Sequence, residues 1–161
     1  MALETLVKYK ESVKDVAPQF QYPELEVTFC GRKVMPFGTS AGLDKNADPL
    51  EPLSYILGFQ EFGTVIVNPR EGNRRPRVYV DEKEKIIYNA QRFPHKGMEH
   101  TLKNVRTYRE KGGKGVLLAS ICGLPPAPEQ LDIARQELKI LAEAFAPYVD
   151  GIVWNPFSPN T

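Results

Sequence analysis

The sequence has few of the residues that build disulfide frameworks and metal centres. Its 161 residues include two cysteines, Cys30 and Cys122, and two histidines, and no Cys-x-x-Cys motif brings ligands together. A disulfide scaffold and a structural zinc site are therefore disfavoured, and no metal site is predicted. Isolated thiols are typical of a reducing compartment, so we expect a cytoplasmic location.

The chain also lacks long apolar runs, an excess of charge and the common nucleotide motifs. No run of about 18 apolar residues occurs, so no membrane-spanning helix is predicted. The net charge of +1 gives no electrostatic reason to expect nucleic acid as a partner. There is no Gly-x-Gly-x-x-Gly segment and no P-loop. The hydrophobic content of 42% is that of a folded globular protein.

What is present begins with a helix and a hairpin. Apolar residues in 3–16 recur with ragged helical spacing, which favours a short helix packed on the body over one lying on a membrane surface. The segment LEVTFCGRKVMP (25–36) alternates apolar and polar residues around a glycine, which is typical of a β-hairpin.

Buried strands then alternate with helices along the rest of the chain. We predict strands at 36–42, 61–67, 115–121 and 151–154, and helices from Asp48 to about Leu57, over 95–111, and from Pro128 to about Ala146. The connection 68–94 holds one further strand candidate, at 77–80. Such alternation predicts an α/β fold with a parallel sheet, either an open doubly wound sheet or half of an eight-stranded barrel.

Small and polar residues follow these strands, where parallel α/β folds bind ligands. They are Ala41, Gly42 and Lys45, then Gly63 and Thr64, then Ser120, and finally Asn155, Ser158, Asn160 and Thr161. The long connection adds Asn89 and Phe93. Small residues let a flat ligand approach the backbone, and asparagines both donate and accept hydrogen bonds, as a planar imide ring requires. Each residue also has a structural interpretation; His95, for example, is expected to be an exposed residue at a helix start.

Several segments together resemble the dihydroorotate dehydrogenase family, and most closely its class 2, quinone-linked branch. They are AGLDKN (41–46), GFQEFGTVIVNPREGNRRPRVY (58–79), Asn89 and NPFSPNT (155–161). The resemblance begins near Leu25 and runs to the last residue. It implies a helical arm over 1–24, then, over 25–161, the amino-terminal half of an FMN-binding (β/α)8 barrel of the TIM type, with about four β/α units after the hairpin.

This resemblance implies an FMN-dependent oxidoreductase that converts dihydroorotate to orotate in pyrimidine biosynthesis. The flavin takes a hydride from C6 while a base removes a proton from C5, and the electrons pass to a quinone or another acceptor. Membrane association would accompany quinone use. We also expect pairing with a carboxy-terminal half or a second chain. The alternatives are a repurposed or non-catalytic flavin-binding paralogue, and a half-barrel that needs a second segment to act.

Site residues follow from the same resemblance. The expected FMN contacts are Ala41, Gly42, Lys45, Gly63, Thr64, Ser120 and Asn155. The expected substrate contacts are Lys45, Asn89, Asn155 and Asn160. Ser158 is the candidate base, with Phe93 beside it and Thr161 as a candidate proton relay.

The chain departs from the family pattern at a few of these places. Arg92 and Pro94 stand where the family has glycine and asparagine, Ser120 stands where it has asparagine, and Val80 replaces an arginine of the quinone tunnel. A cation at position 92 would either obstruct orotate or bind a different anion, and the sequence leaves both interpretations open.

Overall fold

The computed structural model describes residues 2–125, 127 and 129–156. In chain order its elements are α1 (Ala2–Lys8), α2 (Lys10–Val16), β1 (Val27–Phe29), β2 (Arg32–Val34), β3 (Gly38–Thr39), α3 (Leu50–Ser54), β4 (Phe59–Val65), β5 (Val78–Asp81), β6 (Ile86–Asn89), α4 (Met98–Glu110), β7 (Val116–Ile121), α5 (Leu131–Phe145) and β8 (Gly151–Trp154). Short 3₁₀ turns at Ala17–Phe20 and Pro23–Leu25 join α2 to β1.

A four-stranded parallel sheet forms the centre of the fold, with the order β3-β4-β7-β8. Neighbouring strands are consecutive along the main α/β pattern, and α4 packs on both α3 and α5. A doubly wound sheet would instead reverse its strand order at a switch point. The predicted parallel α/β fold is confirmed, and the sequential order is that of an open segment of a barrel wall.

The core lies between this sheet and the helices. Phe62 of β4 and Phe145 of α5 are fully buried, with ring centroids 5.8 Å apart. Leu117 of β7 and Val105 of α4 are buried in the same cluster. β7 is a nearly continuous apolar run, and β4 is mostly buried although it includes Gln60 and Thr64, as expected for strands covered on both faces.

The N-terminal helical segment lies where the sequence predicts it, but it is not one continuous helix. The predicted helix over 3–16 is divided at Tyr9 into α1 and α2. Both helices pack on α3, where Lys10 Nζ lies 3.2 Å from the Glu51 carboxylate. Gln21 Nε2 also donates to the Tyr55 carbonyl oxygen at 3.0 Å. Among the residues described, no helix is long and apolar enough to cross a membrane.

The first strand and its helix are shorter than predicted. The strand expected at 36–42 pairs only over Gly38–Thr39, because the chain then turns away into a loop. Pro49 stands before α3 at its N-cap, rather than inside it, and no side chain caps the helix. The carboxylate of Asp48 instead contacts α4, accepting a hydrogen bond from Asn104 Nδ2 at 3.0 Å. The helix ends at Ser54 rather than near Leu57.

The long connection contains a hairpin of which the sequence analysis predicted only half. The strand candidate at 77–80 is confirmed as β5, and β6 pairs with it in antiparallel register. Asp81 Oδ1 holds the turn between them by accepting from the backbone N–H groups of Lys83 and Glu84. The hairpin delivers Asn89, its last residue, towards the carboxyl end of the sheet.

A network of charged groups ties the amino-terminal end of the sheet together. Asp150, just before β8, bonds Arg32 of β2 and accepts from Arg109 Nη2 and the Leu117 backbone N–H, each at 2.9 Å. The Arg109 guanidinium also donates to the carbonyl oxygens of Gly113, Gly115 and Tyr148. The charges of Asp150, Arg32 and Arg109 are therefore paired with one another, and Arg109 also bonds three carbonyl oxygens.

Candidate functional site

A cleft of about 190 Å³ opens at the carboxyl ends of β4 and β8. Its lining comes from the loop after β3, from the end of β4, from the loop between β6 and α4, and from the residue after β8. The lining residues are Ala41, Gly42, Lys45, Gly63, Thr64, Asn89, Gln91, Arg92, Phe93, Pro94 and Asn155.

The floor of the cleft is backbone. The Gly42 N–H donates to the Gly63 carbonyl oxygen, and the Gly63 N–H donates to the Asp44 carbonyl oxygen, both at 2.8 Å. Gly63 has φ +111°, and a Cβ added there would lie 2.5 Å from the Ser120 carbonyl oxygen. Gly42 has φ +101°, and a Cβ there would point into open space. Gly42 therefore keeps the floor free of a side chain, and Gly63 allows the backbone of β7 to approach closely.

A hydrogen-bonded chain sets the orientation of Asn155. Asn155 Nδ2 donates to Thr64 Oγ1 at 2.8 Å, and Thr64 Oγ1 lies 3.0 Å from Ser120 Oγ, with both hydroxyls buried. Because the amide nitrogen faces the protein, the amide oxygen of Asn155 is the atom left to accept a hydrogen bond from a ligand. Ser120 therefore lies one layer behind the cleft and acts on it through Thr64.

Lys45 brings positive charge to the floor. Its Nζ donates to the Gly42 carbonyl oxygen at 2.5 Å, on the same loop. Burial lowers the pKa of Lys45, and the charge of Asp44 opposes this shift. A partly buried ammonium with one carbonyl partner has donors to spare for an anionic ligand.

Asp44 shapes the loop that carries Lys45. Its Oδ1 accepts from the backbone N–H groups of Asn46 and Asp48, at 3.3 and 3.1 Å, so the side chain caps this turn. Its Oδ2 is buried and has no hydrogen-bond partner in the described structure. Burial raises the pKa of Asp44 to about 6.

His95 was predicted to be an exposed residue at a helix start, and that prediction is wrong. The residue is 5% exposed, and its backbone pairs with that of Arg70 through two 2.8 Å hydrogen bonds. Its Nδ1 accepts from the Gly97 N–H at 2.9 Å, and the ring also bonds the backbone of Lys45. Burial lowers the pKa of His95 to about 4, so the ring is neutral at pH 7. His95 thus joins the β6–α4 loop to the Lys45 loop.

Asn46 makes the second link between these two loops. Its Oδ1 accepts from the Lys96 N–H at 2.9 Å, and its carbonyl oxygen accepts from Asn104 Nδ2 at 3.0 Å. Asp48 adds contacts to His100 Nε2 at 3.1 Å and Lys96 Nζ at 3.3 Å. The burial of Asp48 would raise its pKa, but these two partners together lower it. These contacts of Asn46 and Asp48 therefore fix the Lys45 loop to α4.

The structure brings together most of the residues singled out from the sequence. Within the described part of the chain, every predicted site residue lines the cleft except Ser120. Ser158, Asn160 and Thr161 lie outside the described residues. Gln91 is a lining residue that no sequence signal indicated, because its place depends on the fold of the long connection.

A larger cavity of about 460 Å³ lies between α3 and α4, near the start of β7. Glu51, Tyr55, Tyr108, Lys111 and Lys114 are among its lining residues. It contains charges of both signs and none of the predicted site residues. The smaller cleft is therefore the candidate site.

Comparison with protein families gives one match over most of the chain. The family model described as dihydroorotate dehydrogenase matches residues 24–161. Among curated proteins, "Dihydroorotate dehydrogenase (quinone)" of Marinobacter nauticus is 35% identical over 127 residues, which is 78% of this chain and 36% of that protein. The protein of the same name from a Marinomonas species is 38% identical over 125 residues, 77% of this chain and 35% of that protein.

Solved structures agree on the fold. A DHODH from Eimeria tenella in complex with ferulenol superposes with a TM-score of 0.72 at 24% identity, over 94% of this chain and 43% of that chain. The ligand-free form from the same organism gives a TM-score of 0.71. The chain spans 36% of the length of the Marinobacter nauticus protein.

Proposed function

The chain belongs to the dihydroorotate dehydrogenase family, and from this premise we propose that it is the amino-terminal half of an FMN-dependent enzyme oxidising dihydroorotate to orotate in pyrimidine biosynthesis. In this proposal residues 1–24 are a helical arm, and residues 25–161 supply about four β/α units of a (β/α)8 barrel. One observation carries the proposal: residues from separate segments, each named by the family resemblance, line a single cleft.

The floor of the cleft fits a flat ring system such as the isoalloxazine of FMN. Gly42 and Gly63 leave no side chain there, and the hydrogen bonds between their segments hold both at fixed height. Ala41 and Thr64 extend this surface, and Lys45 and Asn155 supply polar atoms at its edge. We assign the flavin contacts to these residues, with Ser120 fixing Thr64 from behind.

The substrate contacts are assigned to Lys45, Asn89 and Asn155, with Asn160 added from the resemblance. An ammonium and several amides suit a ring that carries one carboxylate and imide groups, because amides supply both donors and acceptors. Gln91 N–H donates to Asn89 Oδ1 at 3.1 Å, which leaves the amide nitrogen of Asn89 to donate to a ligand. The buried chain behind Asn155 holds its acceptor in place for the whole reaction.

Ser158 is the proposed base, with Phe93 beside it and Thr161 as proton relay. FMN, when bound, supplies the acceptor for the hydride that leaves C6 of the substrate. Serine has a high pKa, so Ser158 needs a neighbour that passes the C5 proton to solvent. Phe93 lines the cleft, where an apolar ring keeps water from the reacting carbons.

The full-length protein tests this proposal. It should purify with bound FMN, and dihydroorotate should bleach the flavin absorbance when no electron acceptor is present. Ser158→Ala should keep the flavin but slow its reduction by orders of magnitude. The matched control is Ser12→Ala, on the exposed face of α2, which should bleach like the wild type. A full-length protein that binds no flavin would rule the proposal out.

The electron acceptor is proposed to be a quinone, because the curated relatives carry that word in their names. Val78, Val80 and Ile87 are exposed apolar side chains of the β5–β6 hairpin, whose last residue, Asn89, lines the cleft. They suit an apolar acceptor and contact with a membrane surface. Comparing a ubiquinone analogue with a soluble dye as oxidant of the reduced flavin tests this assignment.

A second candidate function is that of a repurposed flavin-binding paralogue. Arg92 and Pro94 favour it, because both line the cleft and both differ from the family pattern. This candidate predicts FMN binding without bleaching by dihydroorotate, and no effect of Ser158→Ala.

A third candidate is a half-barrel that acts only when paired with another segment. Exposed apolar side chains on its last units favour it, since Trp154 of β8 is 66% exposed and Leu131 and Ile140 of α5 are exposed as well. Sedimentation of the 161-residue chain tests it. A well-folded monomer would count against this candidate.

A further inference from the structure

The lining of the cleft carries an excess of positive charge. Lys45 and Arg92 are its charged lining residues, and no carboxylate lines it in the part of the chain described here. Lys45 already has the role of binding the substrate carboxylate in the proposed function. Arg92 is an additional cation that this function does not use.

Arg70 lies behind the cleft lining, on the segment whose backbone pairs with the Arg92 loop: Arg70 bonds His95 on one side of Arg92, and Asn73 bonds Gln91 on the other. Burial is the larger cause of the lowered pKa of Arg70, and the positive charge of Arg92 is the other. Neither guanidinium has an ion pair or a side-chain hydrogen bond among the described residues. Like charges placed together without a counter-charge are typical of a site whose partner is an anionic ligand.

The backbone fixes Arg92 in this position rather than leaving it on a loose loop. On one side, the side-chain amide of Asn73 donates to the Ala90 carbonyl oxygen at 2.9 Å, and its N–H donates to that of Gln91 at 3.1 Å. On the other side, His95 and Arg70 exchange two backbone hydrogen bonds.

Between these anchors the chain adopts an unusual conformation. Arg92 has φ +58° and Phe93 has φ +47°, in the left-handed region that favours glycine. Strain of this kind at consecutive non-glycine residues persists only where the surroundings impose it, and it clusters at ligand sites. This conformation places both Arg92 and Phe93 in the lining of the same cleft.

We propose that Arg92 and Arg70 form a second anion-binding subsite, so that the cleft takes a carboxylate or phosphate group in addition to the one bound by Lys45. The inference rests on the proposed function for the placement of the first anion. Guanidinium groups bind both kinds of oxyanion through paired N–H donors, which a lysine cannot reproduce. The second group belongs either to the substrate itself, as a dianionic ring, or to a free anion that binds beside it.

Calorimetric titrations of the full-length protein separate these sources. Orotate is compared with its 5-carboxy derivative, and orotate alone is compared with orotate in the presence of inorganic phosphate. We expect either the second carboxylate or the added phosphate to tighten binding about tenfold in the wild type, the gain of one good charge-assisted contact. Tightening by the carboxylate assigns the anion to the substrate, and tightening by phosphate assigns it to a free anion.

Variants show whether this gain belongs to the proposed subsite. Arg92→Gln should abolish it, Arg70→Gln should reduce it, and Arg92→Lys should restore only part of it. The control Arg74→Gln removes the same charge from an exposed loop residue and should keep the full gain. A gain that survives Arg92→Gln, or no gain in the wild type, overturns the inference.

Two further outcomes are informative. Tighter binding of orotate itself by Arg92→Gln would mean that Arg92 obstructs the cleft, which also overturns the inference. Flavin reduction by dihydroorotate is measured on the same samples. If dihydroorotate reduces the flavin and the anion effect is missing, the inference fails and the proposed function stands. If the anion effect occurs and the flavin is not reduced, the second anion site stands and the proposed oxidation of dihydroorotate fails.

Discussion

The two ends of the parallel sheet differ in whether their charged side chains are paired. At the amino-terminal end, Asp150 is 12% exposed at its side chain and is bonded by two arginines and a backbone N–H. At the carboxyl-terminal end, Lys45 and Arg92 line a cleft without a carboxylate among the described residues. The first end uses its charges to hold strands and helices together, whereas the second leaves them available.

Both ends of the sheet contain residues with positive φ, but near the amino end they lie in turns, as at Gly31 and Gly112. At the carboxyl end, Gly42, Gly63, Arg92 and Phe93 have positive φ and line the cleft, and hydrogen bonds cross-link their loops. At Arg92 and Phe93, which are not glycines, this conformation costs free energy, and strain of this kind clusters at ligand sites. The stabilising charge contacts and the candidate binding site therefore lie at opposite ends of one sheet, as in other parallel α/β proteins.

The largest expected effect comes from removing the charge of Asp150. Asp150→Asn leaves the guanidinium groups of Arg32 and Arg109 without their carboxylate and weakens the acceptor for the Leu117 N–H. We expect a loss of about 3 to 5 kcal/mol in the free energy of unfolding, measured by chemical denaturation. The control Asp132→Asn, in an exposed ion pair of α5, should cost less than about 1 kcal/mol. Equal effects would remove the distinction between the two ends.

Gly63→Ala tests whether the floor of the cleft depends on glycine. A Cβ would lie 2.5 Å from the Ser120 carbonyl oxygen and 2.7 Å from the Val65 nitrogen, at φ +111°. We expect a loss of about 2 to 4 kcal/mol in stability together with loss of flavin binding. Gly112→Ala is the control, because φ is +84° there and a Cβ would meet nothing within 4 Å. It should cost about 1 to 2 kcal/mol and leave flavin binding unchanged.

The carboxyl end holds two buried titratable groups, His95 and Asp44, which should make stability depend on pH. His95 has a folded pKa of about 4 and an ordinary value of 6.5, so the unfolded chain takes up a proton first as pH falls. Stability is then lost between pH 6.5 and 4, at up to about 1.4 kcal/mol per pH unit. Asp44 has a raised folded pKa of about 6, so its protonation favours the folded state as pH falls through that value.

His95→Asn separates these opposing contributions, because Asn Oδ1 can replace the acceptor that Nδ1 offers to Gly97. The difference in unfolding free energy between variant and wild type should shift in favour of the variant as pH falls from 6.5 to 4. A difference that stays constant with pH would show that His95 titrates with an ordinary pKa, and would contradict its burial beneath the cleft.

The smallest expected effect on stability comes from the cleft cations. Arg92 has no partner among the described residues and repels Arg70, so Arg92→Gln should change the free energy of unfolding by less than about 0.5 kcal/mol. Arg109→Gln removes the same charge from the paired end and should cost about 3 kcal/mol or more. A large loss of stability in Arg92→Gln would mean that this cation is structural.

The sequence predicted the parts of the molecule that depend on strong local patterns. The apolar runs at 61–67 and 115–121 identified buried parallel strands that overlap β4 and β7, and the strand ends located Lys45, Thr64 and Asn155. The rest depended on contacts between distant segments. β6 was missed although Ile86, Ile87 and Tyr88 suit a strand and its partner β5 was predicted, because the turn at Asp81 that joins the two strands was not recognised.

His95 and Gln91 show where sequence reasoning stops. His95 is buried because its backbone pairs with Arg70 across the hairpin, and no apolar periodicity marks such a position. Gln91 lines the cleft because Asn73 holds the backbone at that point. Both positions follow from the tertiary path of a long connection, which composition and spacing do not specify.

The central claim is that the carboxyl-end cleft, with its unpaired cations, is the ligand site of this protein. Backbone amide NMR of the full-length protein during an orotate titration tests it most directly. We expect saturable shifts at Gly42, Gly63 and Thr64 and at the side-chain amide of Asn155, with no change at Leu117. Shifts centred on Lys111 and Gly115, around the larger cavity, or the absence of saturable shifts, would contradict the claim.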